Sequence, residues 1–149
     1  MAKFVFKLQS VLNIKKQQEE SKKNELGKAI QILESEKRKL SALENELENT
    51  VTEFNEKTKK TTVQELISYN KYLSSLNSSI RLQKEKVNDA AVYVDKIREE
   101  LIDAVKERKI LDKLKEKKYE EYLTEQKKLE QKTNDEIVSY KHNESSAGE

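Results

Sequence analysis

Leu26, Leu33, Leu40, Leu47 and Phe54 recur at every seventh position of the first half of the chain. The complementary positions between them are mixed: Ile30 and Val51 are apolar, Lys37 and Glu44 are not, and Ala29 and Leu43 sit alongside. An apolar stripe repeating about every 3.5 residues on an otherwise charged helix is what coiled-coil packing requires, because slight under-winding keeps the stripe facing its partner. Upstream, Phe4, Leu8, Val11 and Leu12 form another stripe at helical spacing. The interval from Lys15 to Glu25 is almost wholly polar, which predicts weak pairing and early local opening there.

The pattern stops between Thr50 and Thr62, and Asn55 to Thr62 contains no apolar residue. A turn is predicted here. Two overlapping capping boxes follow, Thr61-x-x-Gln64 and Thr62-x-x-Glu65, in which a hydroxyl accepts from an orphan backbone amide while the later side chain reaches back. A second stripe then steps by threes and fours through Leu66, Leu73, Leu76, Ile80, Val87, Ala90, Val94, Ile97, Leu101, Ala104 and Leu111. Ser74, Ser75, Asn77, Ser78 and Ser79 lower helix propensity within it, so continuity of the second helix near Asn77 stays open at this point.

These elements predict an all-α fold in which two long helices form an antiparallel coiled-coil hairpin, the second helix longer than the first. The helices are expected over about 4–56 and 62–139, with the turn at about 57–61. Residues 1–140 would form a single hairpin domain, and 141–149 a disordered tail. At ~1.5 Å per residue the helices measure roughly 80 and 115 Å. Folding about residue 59 sets residue i across from about residue 119 − i, so Leu33 faces the Val87 region and Leu12 faces Lys106 to Arg108. Everything after about Lys118 then overhangs.

Composition supports long helices and removes most other classes. Charged residues make up 39% of the 149 positions and hydrophobic ones 34%, against roughly 45–50% apolar in globular domains. That is too little apolar material for a compact core. Gly occurs twice and Pro not at all, so turn punctuation is nearly absent. Leu, Ile, Val and Phe still supply 37 residues, about 25%, above the roughly 20% below which chains stay disordered. The net charge of +2 and the lack of Cys exclude a strongly basic nucleic-acid binder, a disulfide framework and a thiolate metal site. The longest apolar run, Ala90 to Val94, is far short of a membrane span, and no signal-peptide core follows Met1, so a soluble cytoplasmic protein is expected.

No catalytic, cofactor-binding or metal site is predicted. His142 is the only His and lies in the expected tail, Gly27 and Gly148 are isolated, and the abundant carboxylates fit helix-surface pairing with Lys at i, i+4. The chain is therefore expected not to be an enzyme and to take no small-molecule substrate. The segment 106–118 carries seven positive and three negative side chains. Interrupted by acids and without interleaved aromatics, it fits a solvated face or a patch for an acidic protein rim better than a nucleic-acid site. Tyr69 and Tyr72, near the turn, are candidate anchors for a partner, and Tyr93 beside Val94 reads as packing.

Three segments carry a resemblance. The chain opens Phe4-x-Phe6-x-Leu8-x-x-Val11-Leu12 before a Gln/Glu/Lys-rich stretch. Its middle reads Leu66-x-x-Tyr69-x-x-Tyr72-Leu73-x-x-Leu76-x-x-x-Ile80-x-x-Gln83. Its last third holds Arg98, Ala104, Lys106-Glu107-Arg108-Lys109, Leu111, Leu114-Lys115-Glu116-Lys117 and Glu130-Gln131-Lys132-x-x-Asp135-Glu136. In this order and spacing the chain resembles the flagellar export protein family FliJ, small cytosolic components of the bacterial flagellar type III secretion apparatus that serves motility. The resemblance implies a coiled-coil stalk, similar to the central stalk of rotary ATP synthases, inserted into a hexameric export ATPase. It also implies a link to the cytoplasmic domain of the export gate protein FlhA, and export chaperones as further partners. Membrane association would then be peripheral, through those partners. On the same footing, Tyr72, Leu76, Ser79 and Gln83 match the gate contact. Phe4, Phe6, Leu8, Arg108, Lys109, Glu130, Gln131, Asp135 and Glu136 are where ring contacts are expected.

Three other readings share these residues. A coiled-coil stalk of a virulence type III secretion system would have the same shape and a sister ATPase. A homodimeric structural coiled coil of straight chains would not need the polar break at Asn55 to Thr62. A nucleic-acid arm would show steeply salt-dependent binding.

Overall fold

The computed structural model describes residues 3–148. Two helices account for nearly all of them: α1, Gln9–Lys57, and α2, Val63–Ala147. They form an all-α helical hairpin with the second helix longer, as the two stripes predict. The chain divides into two compact units, Met1–Gln18 with Ala104–Glu149, and Glu19–Asp103.

In the unit Glu19–Asp103, α1 buries or half-buries a strict alternation of threes and fours: Glu19, Lys22, Leu26, Ala29, Leu33, Glu36, Leu40, Leu43, Leu47, Thr50 and Phe54. The seven-residue series anticipated from Leu26 to Phe54 is therefore one half of the seam. The other half lies one residue before the expected positions. Ala29, Glu36, Leu43 and Thr50 face inward, and Ile30 is only half-buried, while Lys37, Glu44 and Val51 are exposed. Sequence pattern alone misplaced this half because two of its four members are polar. On α2 the facing series is Leu66, Tyr69, Leu73, Leu76, Ile80, Gln83, Val87, Ala90, Val94, Ile97 and Leu101. Val94 and Ile97 are almost fully buried, at 2% and 1% exposure.

The pairing register in this unit is fixed by side-chain bonds. Glu25 meets Tyr93, Glu36 meets Gln83 and Glu46 meets Tyr72, pairs whose numbers total 118 or 119, close to the 119 expected. Lys22 binds Glu100 on α2 at 2.6 Å and Glu25 on its own helix at 3.0 Å, so the polar interval is bridged by ion pairs rather than left open. The aliphatic stem of such a lysine covers apolar surface while its ammonium stays partnered.

The turn lies at residues 58–62, one position later than expected. Thr58 closes α1 by donating its backbone amide and its hydroxyl to the Phe54 carbonyl at 3.0 and 2.8 Å. Thr62 caps α2 by accepting from the Glu65 amide at 3.3 Å. The second capping box is realised only in part, because the Glu65 carboxylate takes the Thr61 hydroxyl. α2 continues through Asn77 without a break. The low-propensity Ser/Asn cluster is carried by Leu73, Leu76 and Ile80, since packing outweighs a few tenths of a kcal/mol of propensity per residue.

In the other unit, Leu12 is fully buried and Lys15 binds Glu107 across the helices at 2.9 Å. Residues 3–8 precede the helix rather than forming its first turns, so the stripe expected from Phe4 starts outside α1. Phe6 is buried, Phe4 is half-buried, and Val5 and Lys7 are exposed. This is the alternation of an extended strand-like segment, whose side chains point to opposite faces in turn. At the other end α2 runs to Ala147, so residues 141–147, expected as a tail, are helical and exposed.

Candidate partner-binding surfaces

The first surface belongs to the unit containing both chain ends. An extended residue advances roughly 3.3 Å against 1.5 Å in a helix, so residues 4–6, ahead of the turn at 7–8, reach further along α2 than helical residues would. Phe4 stands edge-on to Tyr119 with centroids 5.2 Å apart, and packs on Tyr122 at 5.6 Å. Tyr119 and Tyr122 stack at 6.2 Å. Edge-to-face pairs of this kind add roughly 0.5–1.5 kcal/mol each beyond the area they bury. Beside this cluster lies a groove of about 660 Å³, lined by Phe4, Phe6, Leu8, Leu114, Tyr122 and Gln126 among others. The overhang expected after Lys118 therefore begins only after Gln126. Sequence reasoning missed Tyr119 and Tyr122, although the alternation of Phe4 and Phe6 about Val5 was a usable signal for an extended, one-sided segment.

Of the expected ring-contact residues, Phe4, Phe6 and Leu8 line this groove together. Arg108 lies on the inner face, half-buried and bound to Asp112 at 2.6 Å, and Lys109 is exposed. Lys118 binds Glu121 at 3.4 Å. Glu130, Gln131, Asp135 and Glu136 lie beyond the groove, all exposed on a stretch of α2 where every residue from Lys127 to Ala147 is solvated. The structure thus groups the three apolar residues and separates them from Glu130, Gln131, Asp135 and Glu136.

The second surface belongs to the unit Glu19–Asp103. The four residues matched to the gate contact share one face of α2, but at different depths. Leu76 is 5% exposed and Gln83 7%, Ser79 is half-buried, and Tyr72 is 43% exposed. Gln83 donates its side-chain amide to the Glu36 carbonyl at 3.0 Å and to the Glu36 carboxylate, which holds that carboxyl below its ordinary range. The Tyr72 hydroxyl donates to the Glu46 carboxylate, and that bond pushes the phenol pKa up. Near it, Tyr69 packs edge-on to Phe54 at 5.7 Å, and Val63 and Ile67 are 73% and 50% exposed. Tyr72 and Ser79 are therefore the parts of this face that a partner can reach. Leu76 and Gln83 hold the helices together.

Among the described residues no group of three His, Cys, Asp or Glu side chains is placed to hold a metal ion, and no helix is long and apolar enough to cross a membrane. No curated protein and no solved structure matches the chain significantly. Residues 4–147 match the family described as Flagellar FliJ protein. That match takes in both helices, the extended opening segment and the exposed end of α2, and the chain therefore belongs to the flagellar FliJ family, non-catalytic components of the flagellar export apparatus.

Proposed function

We infer that this chain is the stalk and escort of the flagellar export ATPase, engaging the hexameric ring with the unit that holds both chain ends and the FlhA gate with the turn-bearing unit. The observation that carries this reading is the continuation of α2 for some twenty residues beyond its last packed position, Gln126, as an exposed helix beside an aromatic-lined groove. A helix left without a partner on any face gains most of its stability by packing into one. The groove offers apolar contact, and Lys109 with Glu130, Asp135 and Glu136 offers charge. Tyr72 supplies an exposed aromatic anchor for the gate, a residue type that dominates interface energetics when buried.

A stalk can stimulate an ATPase only by binding one conformation of the ring better than another. Export chaperones remain further candidate partners of the same exposed helix, and membrane association is peripheral, through the gate. Reversal of Arg108 and Lys109 to Glu should lower both ring binding and ATPase stimulation at least about tenfold, equivalent to ~1.4 kcal/mol. Because Arg108 also binds Asp112, Lys109→Glu alone serves as the variant that leaves packing intact. Full stimulation by both variants would contradict the assignment. Stimulation of a virulence-system ATPase but not the flagellar one would favour the sister system.

A further inference from the structure

Beyond Gln126 the second helix has no neighbour among the described residues, yet it keeps a stripe. Tyr122, Gln126, Leu129, Thr133, Ile137 and Tyr140 follow by steps of four, three, four, four and three, which holds them on one face. Leu129, Ile137 and Tyr140 are 57%, 48% and 67% exposed. The side-chain bonds of this stretch, Thr133 to the Leu129 carbonyl and Ser145 and Ser146 to that of His142, return to their own helix.

The charges beside the stripe are divided by sign. Lys127, Lys128 and Lys132 against Glu130 give the first half +2, and Asp135, Glu136 and Glu144 against Lys141 give the second half −2. An acidic partner would suit only the first half and a basic one only the second. A copy of the same helix laid end for end suits both. We propose that this stretch pairs antiparallel with that of a second copy of the chain, about a two-fold axis near Asn134 and Asp135.

In that register Leu129 lies across from the partner's Tyr140, and Thr133 across from the partner's Ile137. Lys132 lies beside the partner's Glu136, and Glu130 near the partner's Lys141. Each contact is made twice, since a two-fold interface is self-complementary. Parallel pairing would instead set each half on its own sign, and like charges in register are repulsive. The strip is short, so the dimer belongs at the weak end of protein interfaces and gives way to a stronger partner of α2. While it lasts, it covers Glu130, Asp135 and Glu136. The proposal does not rest on ring binding and is tested without the ATPase.

Sedimentation equilibrium of the full chain should show a 17.5 kDa monomer when dilute and a dimer as concentration rises. Lys132→Glu and Glu136→Lys should each weaken association roughly fivefold or more, and the double variant should restore it, because the swap recreates both pairs with signs exchanged. Both side chains are exposed, so circular dichroism should show unchanged helicity in all three. A chain that stays monomeric up to about 1 mM, association indifferent to either reversal, or a double variant no better than the singles would overturn the proposal.

Discussion

Gln83 of α2 reaches across to Glu36 of α1 and donates both to its backbone carbonyl, at 3.0 Å, and to its carboxylate. This places a satisfied polar layer between Ala29 and Leu43 in a seam that is otherwise mostly Leu, Ile, Val and Ala. Buried polar pairs of this kind specify register more than they add stability. Gln83→Ala should lower the melting temperature by roughly 3 °C. Replacing both partners, Glu36→Leu with Gln83→Leu, should raise it while loosening register, read as a broader set of disulfides between cysteines placed on the two helices. A double variant with unchanged, single-register cross-linking would show that the apolar seam alone fixes alignment.

The thinness of the seam makes the cost of single truncations sharply position-dependent. Ile97 is 1% exposed and Ile102 is 53% exposed on the same helix. Ile97→Ala should cost about 2–4 kcal/mol and Ile102→Ala less than about 0.5. Urea titration of both variants checks this, and similar losses would mean that α2 is turned from the orientation described.

The interhelix ion pairs predict a stability plateau with two edges. Bonds from Lys22 and Tyr93 hold the Glu25 carboxyl below its ordinary 4.5, and the bond from Gln83 does the same to Glu36. A lowered carboxyl pKa contributes stability that is present above 4.5 and lost as pH falls through the folded value. Bonds to Glu100 and Glu25 raise Lys22 above 10.5, and the bond to Glu25 raises the Tyr93 phenol above 10.0. Those contributions are present below the ordinary values and lost as pH rises through the folded ones. Thermal melts should therefore be flat from about pH 5 to 9.5 and fall on either side. Glu25→Gln should shrink both edges, and an unchanged profile in that variant would remove these bonds from the account. The groups are largely solvated, so the effect is small and weakens with salt.

Phe4→Ala should release the opening segment from α2 without touching the other unit. Hydrogen exchange should speed up at Gln9, whose amide bonds to the Phe6 carbonyl at 3.0 Å, and at neighbouring amides, while Val94 to Leu101 keep their protection. Loss of protection throughout would mean that the Phe4 cluster with Tyr119 and Tyr122 holds more than its own end.

How far these features can be read from the chain depends on what fills each position. The α2 stripe was legible because Leu, Ile, Val and Ala occupy most of it. In α1 the Leu26 to Phe54 series was legible, but its companion was read one residue late, since Glu36 and Thr50 carry no hydropathic signal and declare themselves only through Gln83 and the packing around Thr50. Lys15 and Lys22 look solvated in sequence and turn out to bridge to Glu107 and Glu100. The opening segment was assigned to the helix because Phe4, Leu8, Val11 and Leu12 have helical spacing. The competing alternation of Phe4 and Phe6 about the exposed Val5 proved to be the relevant period, and at Phe4 it is decided by contact with tyrosines more than a hundred residues away. Among the expected partner contacts, periodicity placed Leu76 and Gln83 on one face with Tyr72, but depth within a face follows from the seam's axis. That axis was misjudged on α1.

The most direct measurement is the affinity of the flagellar export ATPase for the full chain and for a chain ending at Gln126. Residues 127–148 are exposed throughout, so the shortened chain should melt at the same temperature as the full one. The account predicts binding to the ATPase at least about tenfold weaker after truncation, with loss of stimulation. Equal affinity for both chains would contradict it, because the exposed end of α2 would then have no part in engaging the ring.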